Sequence, residues 1–115
     1  MIPGYFPIAI EQGATYKKRC ILGLDTTPIT YLDLTGYNLR GDIKVTYGAN
    51  VPVITSILFN IVNAQAGTFD IRIPHTVTAS IPIGQYVYDI ELVEPSGDVS
   101  KFLKGPVYVS PEVTT

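Results

Sequence analysis

Few residues in this chain are equipped for covalent or acid–base chemistry. His75 is the only histidine. A Ser-His-Asp relay or a His-Cys metal cluster therefore has at most one imidazole to use. Its neighbours Pro74 and Thr76 place it in an exposed loop. Cys20 is the single cysteine, so no internal disulfide forms. Within Tyr16-Lys17-Lys18-Arg19-Cys20-Ile21-Leu22 it reads as a strand thiol packed like a small hydrophobe. Asp89 and Glu91 lie two apart on one strand face, where a pair of carboxylates can bind Ca²⁺ or share a proton. A calcium site wants about six or more oxygen ligands from an acid-rich loop, a density this segment lacks. Cross-strand pairing with Lys101 or Lys104 is the expectation instead. The run Lys17-Lys18-Arg19 offers a site for anions, but on a strand its members point to opposite faces and read as solvation. No catalytic residue, metal ligand or cofactor site follows from these groups, and a non-enzymatic role is expected.

The elements that position these residues are strands. From Gly84 the residues Tyr86, Tyr88, Ile90 and Leu92 recur at period two, with Val87, Asp89, Glu91 and Val93 between them. That is the alternation of a strand with one buried and one wet face. Pro95-Ser96-Gly97 turns the chain, which returns through Phe102, Leu103 and Val107. Ahead of this hairpin, Ile81-Pro82-Ile83-Gly84-Gln85-Tyr86 places a tyrosine just inside a strand after a Pro/Gly corner, as in the tyrosine corner of immunoglobulin-like sandwiches.

Upstream, Phe6 to Glu11 alternates and contains Pro7, which cannot donate a ladder hydrogen bond, so it is expected at a sheet edge. Gln12-Gly13 turns into Thr15 to Leu22, with Tyr16, Lys18, Cys20 and Leu22 opposing Lys17, Arg19 and Ile21. The stretch 23–37 is loop-like, with a short extended piece around 29–32 and a bend at Leu34-Thr35-Gly36-Tyr37. Asn38 to Tyr47 sets Leu39, Ile43, Val45 and Tyr47 on one face, and Gly41 within it signals a bulge or a close backbone approach. Val53 to Ile61 is apolar on both faces, so it is either a central strand or one covered by a neighbouring subunit. Thr68 to Ile73 points Phe69, Ile71 and Ile73 inward and Asp70 and Arg72 outward, and Pro74 to Ile81 forms a helical turn or a loop. About seven strands with turn signals between them predict an all-β fold, an immunoglobulin-like antiparallel β-sandwich. Residues 1–10 form an extended segment and edge strand, 11–109 the sandwich, and 110–115 a short polar tail.

Composition narrows the function classes. Only 16% of the residues are charged against 46% hydrophobic, short of the roughly 25% charge usual in soluble domains. Part of the apolar surface is therefore expected to be covered by partners. With a net charge of -2 and scattered basic residues there is no stripe for phosphates, so nucleic acid is not an expected partner. The longest apolar stretch, residues 51–62, is interrupted by Pro52, Thr55, Ser56 and Asn60. It falls short of the roughly 20 residues of a membrane span. The N-terminus lacks a positive region followed by an apolar run, so a soluble protein made in a cytoplasm is expected.

The ordered set Glu11-Gln12-Gly13-Ala14-Thr15-Tyr16, Asp33-Leu34-Thr35-Gly36-Tyr37-Asn38-Leu39-Arg40, Ile83 to Leu92, Glu94-Pro95-Ser96-Gly97 and Gly105 to Thr114 resembles a family of small structural proteins of tailed bacteriophages and prophages. The resemblance runs from about Glu11 to the C-terminus. It implies an immunoglobulin-like virion component of the tail, baseplate or fibre-attachment apparatus, acting as adaptor or decoration. Other virion proteins, or copies of the chain in an oligomer or ring, are the partners it implies. The motifs at 34–40 and 84–92 read as makers of the fold, so the resemblance transfers no catalytic residue. A receptor- or carbohydrate-binding module on the virion surface is the alternative, with the eight tyrosines as stacking platform. Against it, Tyr86 and Tyr88 are expected to be buried. For an assembly module the expected contact residues are Ile54 and Leu58, together with Ile2, Tyr5 and Phe6 of an N-terminal segment that has little reason to be ordered alone.

Overall fold

A computed structural model describes residues 4–24, 28, 30–48 and 50–112, with the side chains of Tyr5, Leu24 and Phe102 outside the description. In chain order the strands are β1 (Gly4–Tyr5), β2 (Ile8–Glu11), β3 (Tyr16–Ile21), β4 (Gly23–Leu24), β5 (Thr30–Tyr31), β6 (Asn38–Lys44), β7 (Val53–Ser56), β8 (Leu58–Asn63) and β9 (Thr68–Ile73). A one-turn helix α1 (His75–Thr78), β10 (Gly84–Val93) and β11 (Val99–Ser110) complete the chain. The larger sheet runs β1-β11-β10-β6-β7 with β2 also on β11, the smaller runs β3-β9-β8, and β4 pairs with β5. The fold is an all-β sandwich.

The period-two stripe of β10 sets its core. Tyr86, Tyr88, Ile90 and Leu92 are buried, and with them Ile8, Ile10, Ile43, Val107 and Val109 of the same sheet. Phe69, Ile71 and Ile73 of β9 face them from the smaller sheet. Leu34, Ile57 and Ile81 close the core from the connections. The turn after β10 forms where Pro95-Ser96-Gly97 predicts it, Gly97 N–H donating to Glu94 O at 2.8 Å and Glu94 N–H to Asp98 O at 2.8 Å. The hydroxyl of Tyr86 donates to Pro82 O at 2.7 Å, tying the start of β10 to the connection before it. Asp33 builds the bend before β6: its Oδ1 accepts from Thr35 N–H at 2.9 Å and Thr35 Oγ1 at 2.6 Å, while Leu34 is buried beneath. Asp33 is thus held below the usual carboxylate range by its Thr35 hydrogen bonds.

Three expectations need correction. The stretch Val53 to Ile61 is not one strand and not central. It divides at the buried Ile57, whose N–H donates to Gly41 O at 2.9 Å. Before Ile57 the chain pairs with β6, after it with β9, so one extended segment changes sheets at a corner and forms the outer strand of each. The expected strand through Tyr47 ends at Lys44, which leaves Val45 and Tyr47 exposed beyond it. The sandwich is also not wholly antiparallel, because β1 and β2 both pair parallel to β11. The first strand hands over to the opposite sheet at Gln12 and forms no hairpin with the last, so nothing demands antiparallel order.

The N-terminal pairing holds one register throughout, Tyr5 opposite Lys104 and Ile8 opposite Val107, interrupted only at Phe6-Pro7. There Phe6 N–H donates to Lys104 O at 2.9 Å, and the buried Tyr88 hydroxyl donates to Phe6 O at 2.5 Å. The segment therefore has an ordering force that its own apolar residues do not reveal. Two glycines permit such close backbone approaches. A Cβ at Gly41 would stand 2.8 Å from Asp89 O, the close approach expected there. A Cβ at Gly105 would collide with the Phe6 carbonyl oxygen. Gly105→Ala should displace the Phe6 carbonyl and cost about 1–3 kcal/mol. Tyr88→Phe, which removes one buried donor, should cost about 1 kcal/mol. Urea unfolding of the three proteins checks this order, and an alanine at 105 that leaves the midpoint unchanged contradicts it.

Candidate functional site

The groups singled out for chemistry are dispersed and engaged. His75 is exposed at the start of α1, in a helical turn instead of a loop. Cys20 is half-buried against the core, and burial pushes its thiol above its ordinary pKa, away from the reactive thiolate. Asp89 pairs with Lys101 at 3.1 Å, as expected, while Glu91 pairs with Arg40 of β6 at 2.6 Å. Arg40, Asp42, Lys44, Tyr47, Asp89 and Lys101 are among the residues around an open groove of about 360 Å³ on the outer face of the larger sheet. Two further groups there are held: Ser56 Oγ donates to Asp42 Oδ1 at 3.1 Å, and Lys44 Nζ to Gly48 O at 3.1 Å. Binding an ionic ligand in the groove would mean breaking these pairs. No group of three or more His, Cys, Asp or Glu side chains suited to a metal occurs among the described residues. Nor is any described helix long and apolar enough to cross a membrane.

The basic run divides between faces as expected. Lys18 turns inward and lays its ammonium 5.4 Å from the centroid of the Phe6 ring. Lys17 and Arg19 turn outward onto Asp70 of β9. Arg19 grips that carboxylate with Nε to Oδ1 at 3.0 Å and Nη2 to Oδ2 at 3.3 Å, and Lys17 Nζ stands 4.0 Å from Oδ2. Asp70 points outward as its position in the strand predicts, yet it is only 5% exposed. Alternation gives the face of a side chain but not what lies over it. The hydrogen bond from Arg19, opposed by burial and aided by the charges of Arg19 and Lys17, holds Asp70 below the usual carboxylate range.

The feature left open is an edge. Strands β7 and β8 lie on the same side of the sandwich, one bounding each sheet and joined through Ile57. Along them Val53, Ile54, Leu58, Ile61 and Val62 are exposed, Leu58 at 49%. Of the expected contact residues, Ile54 and Leu58 belong to this edge. Phe6 lies elsewhere, half-buried against the core. Tyr5 belongs to β1 with its side chain outside the description, and Ile2 lies outside the described residues. The sequence holds a signal for the edge in its charge spacing: residues 45–69 contain no Asp, Glu, Lys or Arg. Proteins ordinarily guard an exposed strand with charge or proline. Here β3 has Lys17, Lys18 and Arg19, the β1–β2 border has Pro7 and Glu11, and β7–β8 has no charged residue.

Neither a protein-family model nor a curated protein matches the chain. Among solved structures it is similar to the SrpA adhesin of Streptococcus sanguinis, at 15% identity and a TM-score of 0.49, over 92% of this chain and 55% of that one. It is similar also to an internalin-like protein of Listeria monocytogenes, at 12% identity and a TM-score of 0.41, over 92% of this chain and 27% of that one. The chain thus spans about half the length of the first and about a quarter of the second. Both share too little with it for their roles to be read across.

The Asp70 cluster makes a pH prediction. A carboxylate with a depressed folded pKa contributes stability that is present above its unfolded pKa and is lost as pH falls through the folded one. Below pH of about 4 the wild type should therefore lose stability more steeply than Asp70→Asn. Urea midpoints measured between neutral pH and pH of about 3 test it, and parallel acid limbs would refute it.

Proposed function

We propose that this chain is a non-enzymatic assembly module of a tailed-bacteriophage virion, an immunoglobulin-like adaptor or decoration of the tail, baseplate or fibre-attachment apparatus that works through protein–protein contacts. The observation that carries the assembly role is the uncharged, apolar edge β7–β8, which borders both sheets. An isolated protein gains nothing from exposing Val53, Ile54, Leu58, Ile61 and Val62 along two open strands, whereas a protein that docks there gains both apolar burial and backbone hydrogen bonds. The virion assignment is supported by the ordered motifs between Glu11 and Thr114. Two of them have a structural use: Asp33 to Tyr37 forms a hydrogen-bonded bend, and Ile83 to Leu92 contains the tyrosine corner and the core stripe.

The immunoglobulin-like reading is supported by topology. Taking the longer strands in order as A, B, C, C′, D, E, F and G gives sheets A-G-F-C-C′ and B-E-D, the first strand having moved beside the last. Tyr86 then sits near the start of F with its hydroxyl bonded four residues upstream. The charged residues of the outer groove act as cross-strand pairs, and the edge does the binding.

The test is co-purification. A tagged chain expressed during phage growth should travel with intact particles through a density gradient at a fixed ratio to the major virion protein. Leu58→Asp, at an exposed position, should keep the far-ultraviolet β spectrum and the urea midpoint and be depleted from the particles by tenfold or more. Absence of the wild-type chain from the particles would overturn the virion assignment, and undiminished incorporation of Leu58→Asp would overturn the role of the edge.

A further inference from the structure

The geometry points to one occupant for β8: the β8 of a second copy of this chain, paired antiparallel across a two-fold axis at Asn60. This deepens the assembly reading and rests on it. Among the described residues the strand has a β neighbour, β9, on one side only. In sequence it reads Leu58-Phe59-Asn60-Ile61-Val62, a pattern of apolar and polar types that is the same in both directions about Asn60. In the antiparallel register centred there, Phe59 meets Ile61 of the second copy on the core side. Asn60 meets its own counterpart on the outer side, and Leu58 reaches toward Val62, the bulge residue at which regular pairing ends. Each apolar side chain finds an apolar one, and the amide, at once donor and acceptor, finds an amide.

Charge supports the same occupant. Opposed like charges destabilise a strand pair, and pairing an edge with its own copy brings a cluster of like charges against the same cluster. Strand β3 would place Lys17, Lys18 and Arg19 near their own counterparts, while β8 has no charge to oppose. Strand β7 is uncharged too, but Val53-Ile54-Thr55-Ser56 has no such symmetry, and antiparallel self-pairing about Thr55 would set Ile54 against Ser56. Irregularities bound the contact. The register of β7 on β6 shifts at Ile54, and that of β8 on β9 shifts at Val62, where bulges twist a strand away from further pairing. The regular edge is short and lies around Asn60. A contact of this kind is isologous and closes as a dimer, leaving β7 open to a different partner.

Light scattering coupled to size exclusion at micromolar to near-millimolar chain concentration reads the mass. Twice 12.5 kDa is expected at the upper end. Asn60→Lys, which sets two ammonium groups against each other on the axis, should return the single-chain mass with the β spectrum retained. The register has its own test in Asn60→Cys, made in a Cys20→Ala background. Antiparallel partners have Cα atoms about 4.5–5.5 Å apart, within disulfide range, so mild oxidation should give a covalent dimer. A wild type of single-chain mass at every concentration would overturn the pairing, as would a dimer unaffected by Asn60→Lys. A dimer that forms without the Asn60→Cys cross-link would overturn the register, and that result stands even if the lysine variant fails to fold. A single-chain wild type that still travels with particles removes the self-pairing alone, and a dimer absent from particles removes the virion assignment alone.

Discussion

Two buried phenols govern how this sandwich closes. Tyr86 and Tyr88 sit on the core face of β10, where their rings supply apolar volume but their hydroxyls must not be left without partners. Each hydroxyl finds a backbone carbonyl of another segment: Pro82 O in the connection that enters β10, and Phe6 O between β1 and β2. The need of one strand for hydrogen-bond acceptors thereby fixes the corner at one end of the core and the course of the N-terminus along its border. Gly105 completes the arrangement, since only a residue without a side chain lets the Phe6 carbonyl come so close to β11.

Much of this was legible in the sequence, and the limits have physical causes. The alternation in Tyr86 to Leu92 and in Phe69 to Ile73, the turn at Pro95 to Gly97 and the close approach at Gly41 follow from local stereochemistry and were readable residue by residue. The sheet change at Ile57 was not. It occurs without glycine or proline, and an apolar residue at a corner looks in sequence like one more residue of a two-faced strand. The parallel course of β1 and β2 was equally hidden, because side-chain alternation is the same whichever way the neighbour runs. In the same way the edge at Ile54 and Leu58 was legible as apolar excess, while its place at the border of both sheets required the topology.

Charge distribution ties fold to function. The few ionic groups are concentrated on strand faces in pairs such as Arg40 with Glu91 and Arg19 with Asp70, which fasten adjacent strands. Residues 45–69 are left without any. A chain so sparing of charge leaves β7 and β8, outer strands of its two larger sheets, without electrostatic resistance to strand addition, and a single buried isoleucine joins them. Ile57 thus carries the chain from the outer strand of one sheet directly to the outer strand of the other.

The parallel partnership of the first and last strands has a mechanical side. The chain enters the larger sheet at Gly4 beside Leu103 and β11 leaves it at Ser110 beside Glu11, about 23 Å further along the strand axis. Tension applied to the two ends of the domain consequently runs along β2 and β11 in opposite senses. It loads their interstrand hydrogen bonds together in shear. A pair peeled from one end would instead lose them one after another. Strands arranged in this way resist stretching far better than their few hydrogen bonds would in a hairpin.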